Sequence, residues 1–441
     1  MNTVKEGTLT RAAVERLAAG EPEWLQSLRI AAWERYESTS LPDPKDEAWR
    51  RTDLSRLDLD TLRPTEPRSV VADPAALPET LRLVVTGDKP PATVSLQWDG
   101  SLVYHRMDPG LAAQGVVFTD LQTAAREHGD LLKKYLFTAV RADESKFTAL
   151  HAALLSGGVF LYVPKGVVVE EPIEFALYGE QPGAGLFNHT LVVAETGAAV
   201  TLVERWSSAA AGERGLQSGV VEIIARPGSQ VRFGSIQNFA TSLDSFTVRR
   251  AVVERDARVD WTLGEFGGSL TRAELTSLVS GPGADSNIFM VFFGDGRQHL
   301  DVSAGMVHKA GADHSTSDIQ VRGVLNGKAR SVYRGLGQIE AGARACKTFQ
   351  RQQTLVLSEG ARSDAIPGLI IDEYDVEQAG HAATVGQVDR EQLFYLMSRG
   401  ISKQEALKLI VDGFFQPVLQ RIPVESLRAE LPGLVQRKMG M

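Results

Sequence analysis

One unit recurs along this chain from about Phe147 to Ile371: an apolar strand, a turn of two to four residues containing Gly or Asp-Ala, and a second apolar strand. LVVAETGAAVTLV, EIIARPGSQVRF, AVVERDARVDW, MVFFGDGRQHLDV, GVLNGKARSVY and LVLSEGARSDAI each show it, and IEAGARA is a shorter instance. The turn residues Gly197, Gly228 and Asp256 lie 31 and 28 positions apart, and Gly327, Gly342 and Gly360 lie 15 and 18 apart. Spacing at about one and two units, with no helix between strands, predicts a β-solenoid, because a coil cannot bury its apolar side alone and must stack on its neighbours. A propeller needs a more regular period, and a jelly roll has fewer strands.

The flanks read differently. From about Thr8 to Tyr36 the pattern is helical, with Pro22 near a helix start and Leu25, Leu28, Ala32 and Tyr36 along one face. A charged, proline-broken connection, Leu41 to Leu57, follows; strands are predicted around Leu81 to Tyr104 and a short helical patch from Leu121 to Leu136. After Asp389 the chain is helical again: Gly400 suits a left-handed helix end, and Ser402 with Glu405 forms a capping box for the next helix. That helix carries Leu407, Leu409, Ile410, Val411, Phe414 and Phe415 around most of its circumference up to Pro417, so it needs cover on more than one side. The expected division is 1–145 (helical with a few strands), 146–388 (solenoid core) and 389–441 (helical).

Composition narrows the function classes. A 441-residue chain that is 43% hydrophobic buries a large core, and 41 glycines with only 7% aromatics fit many tight turns better than a helical bundle. The net charge of −8 speaks against nucleic acid as a partner. The longest apolar run, Ala152 to Val163, is interrupted and too short to span a bilayer, and the charged N-terminus leaves no room for a secretory signal, so a soluble cytoplasmic protein is expected. The single Cys346 excludes an intrachain disulfide and any all-cysteine metal site built by this chain alone.

Candidate chemistry is sparse. Gly323 to Ala329 superficially resembles a phosphate loop, but three residues separate its glycines and Ala329 stands where a metal-binding hydroxyl belongs. No G-x-S-x-G elbow or H-E-x-x-H helix occurs. His299, Asp301, His308 and His314 fall close together in a strand-rich stretch, which admits either a metal site or ordinary solvated or backbone-bonded histidines. His381, flanked by the small Gly380, Ala382 and Ala383, is either an accessible functional imidazole or a histidine satisfied by local backbone. Cys346 reads as a buried small hydrophobe.

KDEAWRRTDLSRL, KFTALHAALLSGGVFLYVPKGVVVEEPI from Lys146, GVLNGKARSVYRG from Gly323 and the run from Ser363 to Phe415 closely resemble the SufB/SufD family of iron–sulfur cluster assembly proteins. The resemblance covers most of the chain. It implies a mainly β protein, with a right-handed parallel β-helix between two helical terminal domains. SufB members carry a cysteine after a Gln and a Glu after the histidine of an H-E-A-T motif; here Gln350 is followed by Arg351 and His381 by Ala382, so the chain looks like the SufD branch.

That branch implies a non-catalytic scaffold of the Suf complex. It would pair with a SufB-like paralogue, with a self-paired homodimer as a state in isolation, and dock a SufC-like ABC-type ATPase. His381 would then be a shared ligand for a transient iron–sulfur cluster or iron at the paralogue interface, with no tightly bound cofactor. The C-terminal helix, with Leu407, Ile410, Val411, Phe414 and Phe415, would meet the ATPase. Two other readings are a polysaccharide-active β-helix enzyme, for which no clear carboxylate cluster appears on the solenoid strands, and a purely structural homodimeric module.

Overall fold

Consecutive strands alternate between two ten-stranded sheets, so every second strand in the sequence is a hydrogen-bonded neighbour. A computed structural model describes residues 9–87, 89–210, 212–422 and 424–440; Thr8, where the predicted helical stretch begins, lies outside them. Strand pairing along the solenoid is parallel: Asp285 lies beside Thr316 and Thr316 beside Lys347. The side chains of Thr316 and Asp285 are linked across 31 positions at 2.8 Å, one full coil. The core lies between the sheets and is filled by one side of each strand. Ile173, Leu202, Phe233, Trp261, Ile288 and Ile319 form one unbroken interior column. Within it Phe233 and Trp261 meet edge to face at 5.1 Å.

Three of the six predicted turn residues, Gly197, Gly228 and Asp256, fall in a second column; Gly327, Gly342 and Gly360 lie outside it. Gly197, Gly228, Asp256, Gly283, His314 and Ala345 all have φ between 52° and 71°. Their N–H groups donate to Pro227, Arg255, Pro282, Asp313, Arg344 and Asp375 at 2.6–3.0 Å, each acceptor on the following coil. The left-handed conformation aims these donors along the solenoid axis, which is why glycine recurs there; Asp256 and His314 are types that tolerate it, and Ala345 is not.

Helices cover both outer faces. Arg11–Ala18, Glu23–Ser38 and Lys146–Leu154 pack with Phe160, Phe187, Leu191 and Phe246 of the first sheet. The docking is pinned by Glu222, which accepts the backbone N–H groups of Phe137 (2.7 Å), Ala139 (2.6 Å) and Val140 (2.9 Å) and bonds His189 Nε2 at 2.9 Å. On the other sheet, Lys403–Leu419 and Glu425–Lys438 bury Val411, Phe415, Leu427 and Leu431 against Phe266, Phe289, Val291 and Phe293. Gly400 has φ 86° and the Ser402–Glu405 capping box is formed. No helix among the described residues is long and apolar enough to cross a membrane.

Two local expectations change. Leu81 belongs to the helix Glu79–Thr86, where Leu81 and Val85 are buried four positions apart; the strands there are Val94–Trp98 and Ser101–Arg106. The stretch from Phe147, read as the first solenoid unit, begins instead as the helix Lys146–Leu154, started by a reciprocal Ser145–Thr148 cap, and the first coil strand is Gly157–Val163.

Phe415 is 1% exposed and Phe394 is 73% exposed. Phe415→Ala should therefore cost about 3–5 kcal/mol of unfolding free energy, against less than about 0.5 kcal/mol for Phe394→Ala, as measured by urea unfolding. The buried His308 bonds Ser315 Oγ (2.7 Å) and Ser317 Oγ (2.8 Å), and burial pushes its pKa from 6.5 down to about 4. Between those values the unfolded chain holds a proton that the folded chain lacks, so stability is full above pH 6.5 and declines as pH falls toward 4. His308→Gln should flatten, without abolishing, that decline in urea melts from pH 7 to 4.5, because the buried His151 is shifted in the same direction.

Candidate functional site at the open end of the solenoid

The two ends of the solenoid are built differently. At the first end the sheets finish on short antiparallel partners, Ser101–Arg106 beside Val94–Trp98 and Val117–Asp120 beside Gly157–Val163. At the other end they finish on the long strands Arg362–Ile371 and Val376–Gln387, each paired on one side only among the described residues. Ile370, Ile371, Tyr374 and Val385 on this last coil are exposed. An unpaired strand edge with exposed apolar residues is a template for another chain.

His381 lies on that coil, and the register shows what kind of position it holds. Ile319 pairs with Gln350, and Gln350 pairs with His381, so the histidine continues the interior column after Gln350. The Ile319 and Gln350 side chains are buried, whereas His381 is exposed because no further coil covers it. Its neighbours at alternate positions on the strand, Ala379 and Ala383, are small. On the facing sheet, register carries the interior position of Tyr333 to Ala365 and that of Gly335 to Pro367. The end of the core is thus an open mouth with one imidazole in it.

The row behind the mouth is polar. Gln350 donates from Nε2 to the Gly368 carbonyl at 2.7 Å, bridging the two sheets. A Cβ at Gly335 would lie 2.0 Å from Gln350 Oε1, so this bridge requires glycine there. Gln350 Oε1 and the buried Tyr333 hydroxyl have no hydrogen-bond partner among the described residues. The interior therefore changes from apolar at Ile319 to hydrogen-bonding at Gln350 and His381. Chemically, His381 offers a neutral nitrogen ligand or a proton acceptor; a complete metal site needs further ligands.

Other candidates separate in space. His299 and Asp301 stand on the outer face of the first sheet, where Asp301 ion-pairs with Arg272 at 2.7 Å and with Arg334. His308 is enclosed between two serines, and His314 is a left-handed turn residue. No group of three or more His, Cys, Asp or Glu that could hold a metal occurs among the described residues. Cys346 is buried, its thiol is pushed up by burial, and it contacts Ser315 Oγ at 3.2 Å. Gly323 to Ala329 closes a strand-to-strand turn, with Asn326 bonded to Asp295 (3.1 Å) and Ser358 (2.6 Å). No helix follows it, so the phosphate-loop geometry is absent there.

The C-terminal helix divides its apolar residues. Val411 and Phe415 are sealed in this chain's own core, while Leu407, Ile410 and Phe414 are partly covered. Arg322 holds the Phe414 carbonyl at 2.6 Å and lies over its ring. The free apolar surface lies beside them: Leu409 is exposed, as are Phe394, Tyr395 and Met397 on the preceding helix Arg390–Ser398. Sequence reading passed over these three, although Phe394-Tyr395 on a short charged helix is a usable signal.

Residues 176–414 match the family described as "SUF system FeS cluster assembly, SufBD core domain", and residues 92–175 match "SufBD protein N-terminal region". The chain is 37% identical over 424 residues to the iron–sulfur cluster assembly protein SufD of Bacillus subtilis, covering 95% of each chain. It is 33% identical over 416 residues to iron–sulfur cluster assembly SufBD family proteins of Staphylococcus saprophyticus and Staphylococcus epidermidis, covering 92% of this chain and 87% of theirs. A solenoid built from paired strands and flanked by helices, matched over nearly its whole length, thus belongs to the SufBD family of iron–sulfur cluster assembly proteins and is SufD-like.

Proposed function

We propose that this chain is a non-catalytic scaffold subunit that pairs through its last coil with a SufB-like paralogue and docks a SufC-like ABC-type ATPase on its C-terminal helices. The observation that carries the reading is the uncovered last coil, with a one-sided edge on each sheet and His381 as the final interior position. A second solenoid stacked there would supply the missing strand partners, cover Ile370, Ile371 and Val385, and enclose the mouth around His381.

The cluster, in this reading, is cargo that forms transiently between the two chains. His381 contributes one nitrogen ligand, and the paralogue supplies the others, thiolates among them. The absence of a cysteine at Arg351 and of a carboxylate at Ala382 fits a supporting half that contributes less of the ligand set. The imidazole suits this role because a neutral ring nitrogen binds iron and leaves readily compared with thiolate.

The ATPase contact moves from the buried residues to the exposed ones. Phe394, Tyr395, Met397 and Leu409 form its apolar centre, and Lys403 and Lys408 lie on the neighbouring helix as a polar rim. Closure of a pair of ATPases would pull on the helices Arg390–Ser398 and Lys403–Leu419. The first of these helices follows directly on the strand that carries His381, so the pull reaches the mouth through one continuous segment.

His381→Ala should impair cluster assembly on the reconstituted complex while leaving the melting temperature and ATPase binding unchanged. Unaltered assembly would remove His381 from the mechanism. Phe394→Asp should reduce binding of a SufC-type ATPase from the same source by tenfold or more, read as complex mass by size exclusion with light scattering. A complex of undiminished mass and stability would place docking elsewhere.

A further inference from the structure

The connection from Leu41 to Leu57 runs across the outer face of the first sheet and is held there firmly. Thr52 Oγ1 donates to the buried Asp301, and Arg272 reaches the Ala48 carbonyl at 3.0 Å. Trp49 lies between the Arg272 guanidinium, 3.8 Å from its ring centre, and the Phe147 ring at 5.6 Å. Between this strap and the last coils is a cleft of about 720 Å³, within the size range of small-molecule sites.

The cleft has an uncommon distribution of charge. Four guanidiniums, of Arg50, Arg51, Arg330 and Arg362, line it against the two carboxylates of Asp53 and Asp364. Glu47 engages Arg50 (2.8 Å) and Arg51 (2.6 Å), and Asp364 engages Arg362 (3.0 Å). Arg330 makes no side-chain ion pair or hydrogen bond among the described residues. His299 Nε2 is buried with no partner there either. The register puts His299, Arg330 and Arg362 side by side on three adjacent strands, about 4.8 Å apart in the pairing direction. Nitrogen donors are thus arranged in a row along one wall.

The strap lines the cleft with the apolar Leu41, Pro42, Pro44 and Leu54 beside its charged Arg50, Arg51 and Asp53. The donor row on the sheet suits an oxyanion with several acceptor oxygens, and the strap's Leu41, Pro42, Pro44 and Leu54 suit a hydrocarbon or ring. The geometry points to a binding site for a phosphate monoester with an apolar body, its phosphate on Arg330, Arg362 and His299 and its body under the strap. A phosphoryl group accepts from several donors at once and adds charge where Arg330 has no ion-pair partner among the described residues. A carboxylate would satisfy fewer of them. This inference is independent of cluster assembly and of His381, which lies on the other sheet.

The test is isothermal titration of the full chain with phenyl phosphate, inorganic phosphate and phenol. One saturable site is expected for phenyl phosphate, with weaker binding of inorganic phosphate and none of phenol. Arg330→Gln and Arg362→Gln should each weaken phenyl phosphate about tenfold. Both side chains are on the surface, and thermal melting checks each variant; if one melts early, the other decides. Absence of saturable phenyl phosphate binding overturns the proposal, as does affinity unchanged in both variants. Equal binding of phenol overturns it too, since the guanidiniums would then have no part.

Discussion

Everything in this molecule depends on coil-to-coil pairing. Each coil supplies its neighbour with both hydrogen-bond partners and an apolar floor, so stability is local and propagates along the axis. The arrangement always leaves two ends over. Here one end is finished within the chain by short antiparallel strands, and the other stops on two full-length strands whose outer edges are unpaired among the described residues. Among the described residues, the unpaired full-length strand edges are therefore concentrated at the second end. His381 acquires its standing from this alone, because the same interior column one coil earlier is closed over a buried glutamine.

The sheets' outer faces obey a different rule. They cannot pair with anything through their backbone, so they are covered by amphipathic helices, and the fit is held by specific polar contacts. Glu222 gathers three backbone N–H groups from the turn after Tyr135 and orients His189, whose ring continues to His151 at 3.4 Å. Inside the solenoid Arg249 pairs with Glu265 at 2.8 Å, and burial raises the Glu204 pKa to about 7. Charges in such a place cost desolvation free energy and do not stabilise the fold in themselves.

The last coils carry two separate kinds of surface. The mouth at His381 is bordered by the exposed Ile370, Ile371 and Val385. The strap cleft combines a row of nitrogen donors on the sheet with apolar and charged residues of the strap, which suits a small anionic ligand. His381 and the cleft's donor row lie on opposite sheets, although the strand Arg362–Ile371 belongs both to the last coil and to the cleft.

The solenoid itself was legible in the sequence, because the two-fold alternation of strands and the recurrent left-handed turns are local signals repeated many times. Gly197, Gly228 and Asp256 were identified as turns by spacing, and they are three members of one stacked ladder. Capping at Ser402 was legible for the same reason: its partners are three residues apart. Where one short stretch stood alone, local pattern misled: Leu81 and Phe147 lie in helices because neighbours distant in sequence cover a helical face there. Cover is also what sequence periodicity leaves open on the C-terminal helix, where Phe415 is enclosed and Leu409 is free. The residue types at His299, Arg330 and Arg362 were visible, but their alignment on adjacent strands depends on the register of coils about thirty residues apart. Sequence determined what each coil is made of; tertiary structure decided which coil comes last, which faces remain uncovered and which distant side chains share a wall.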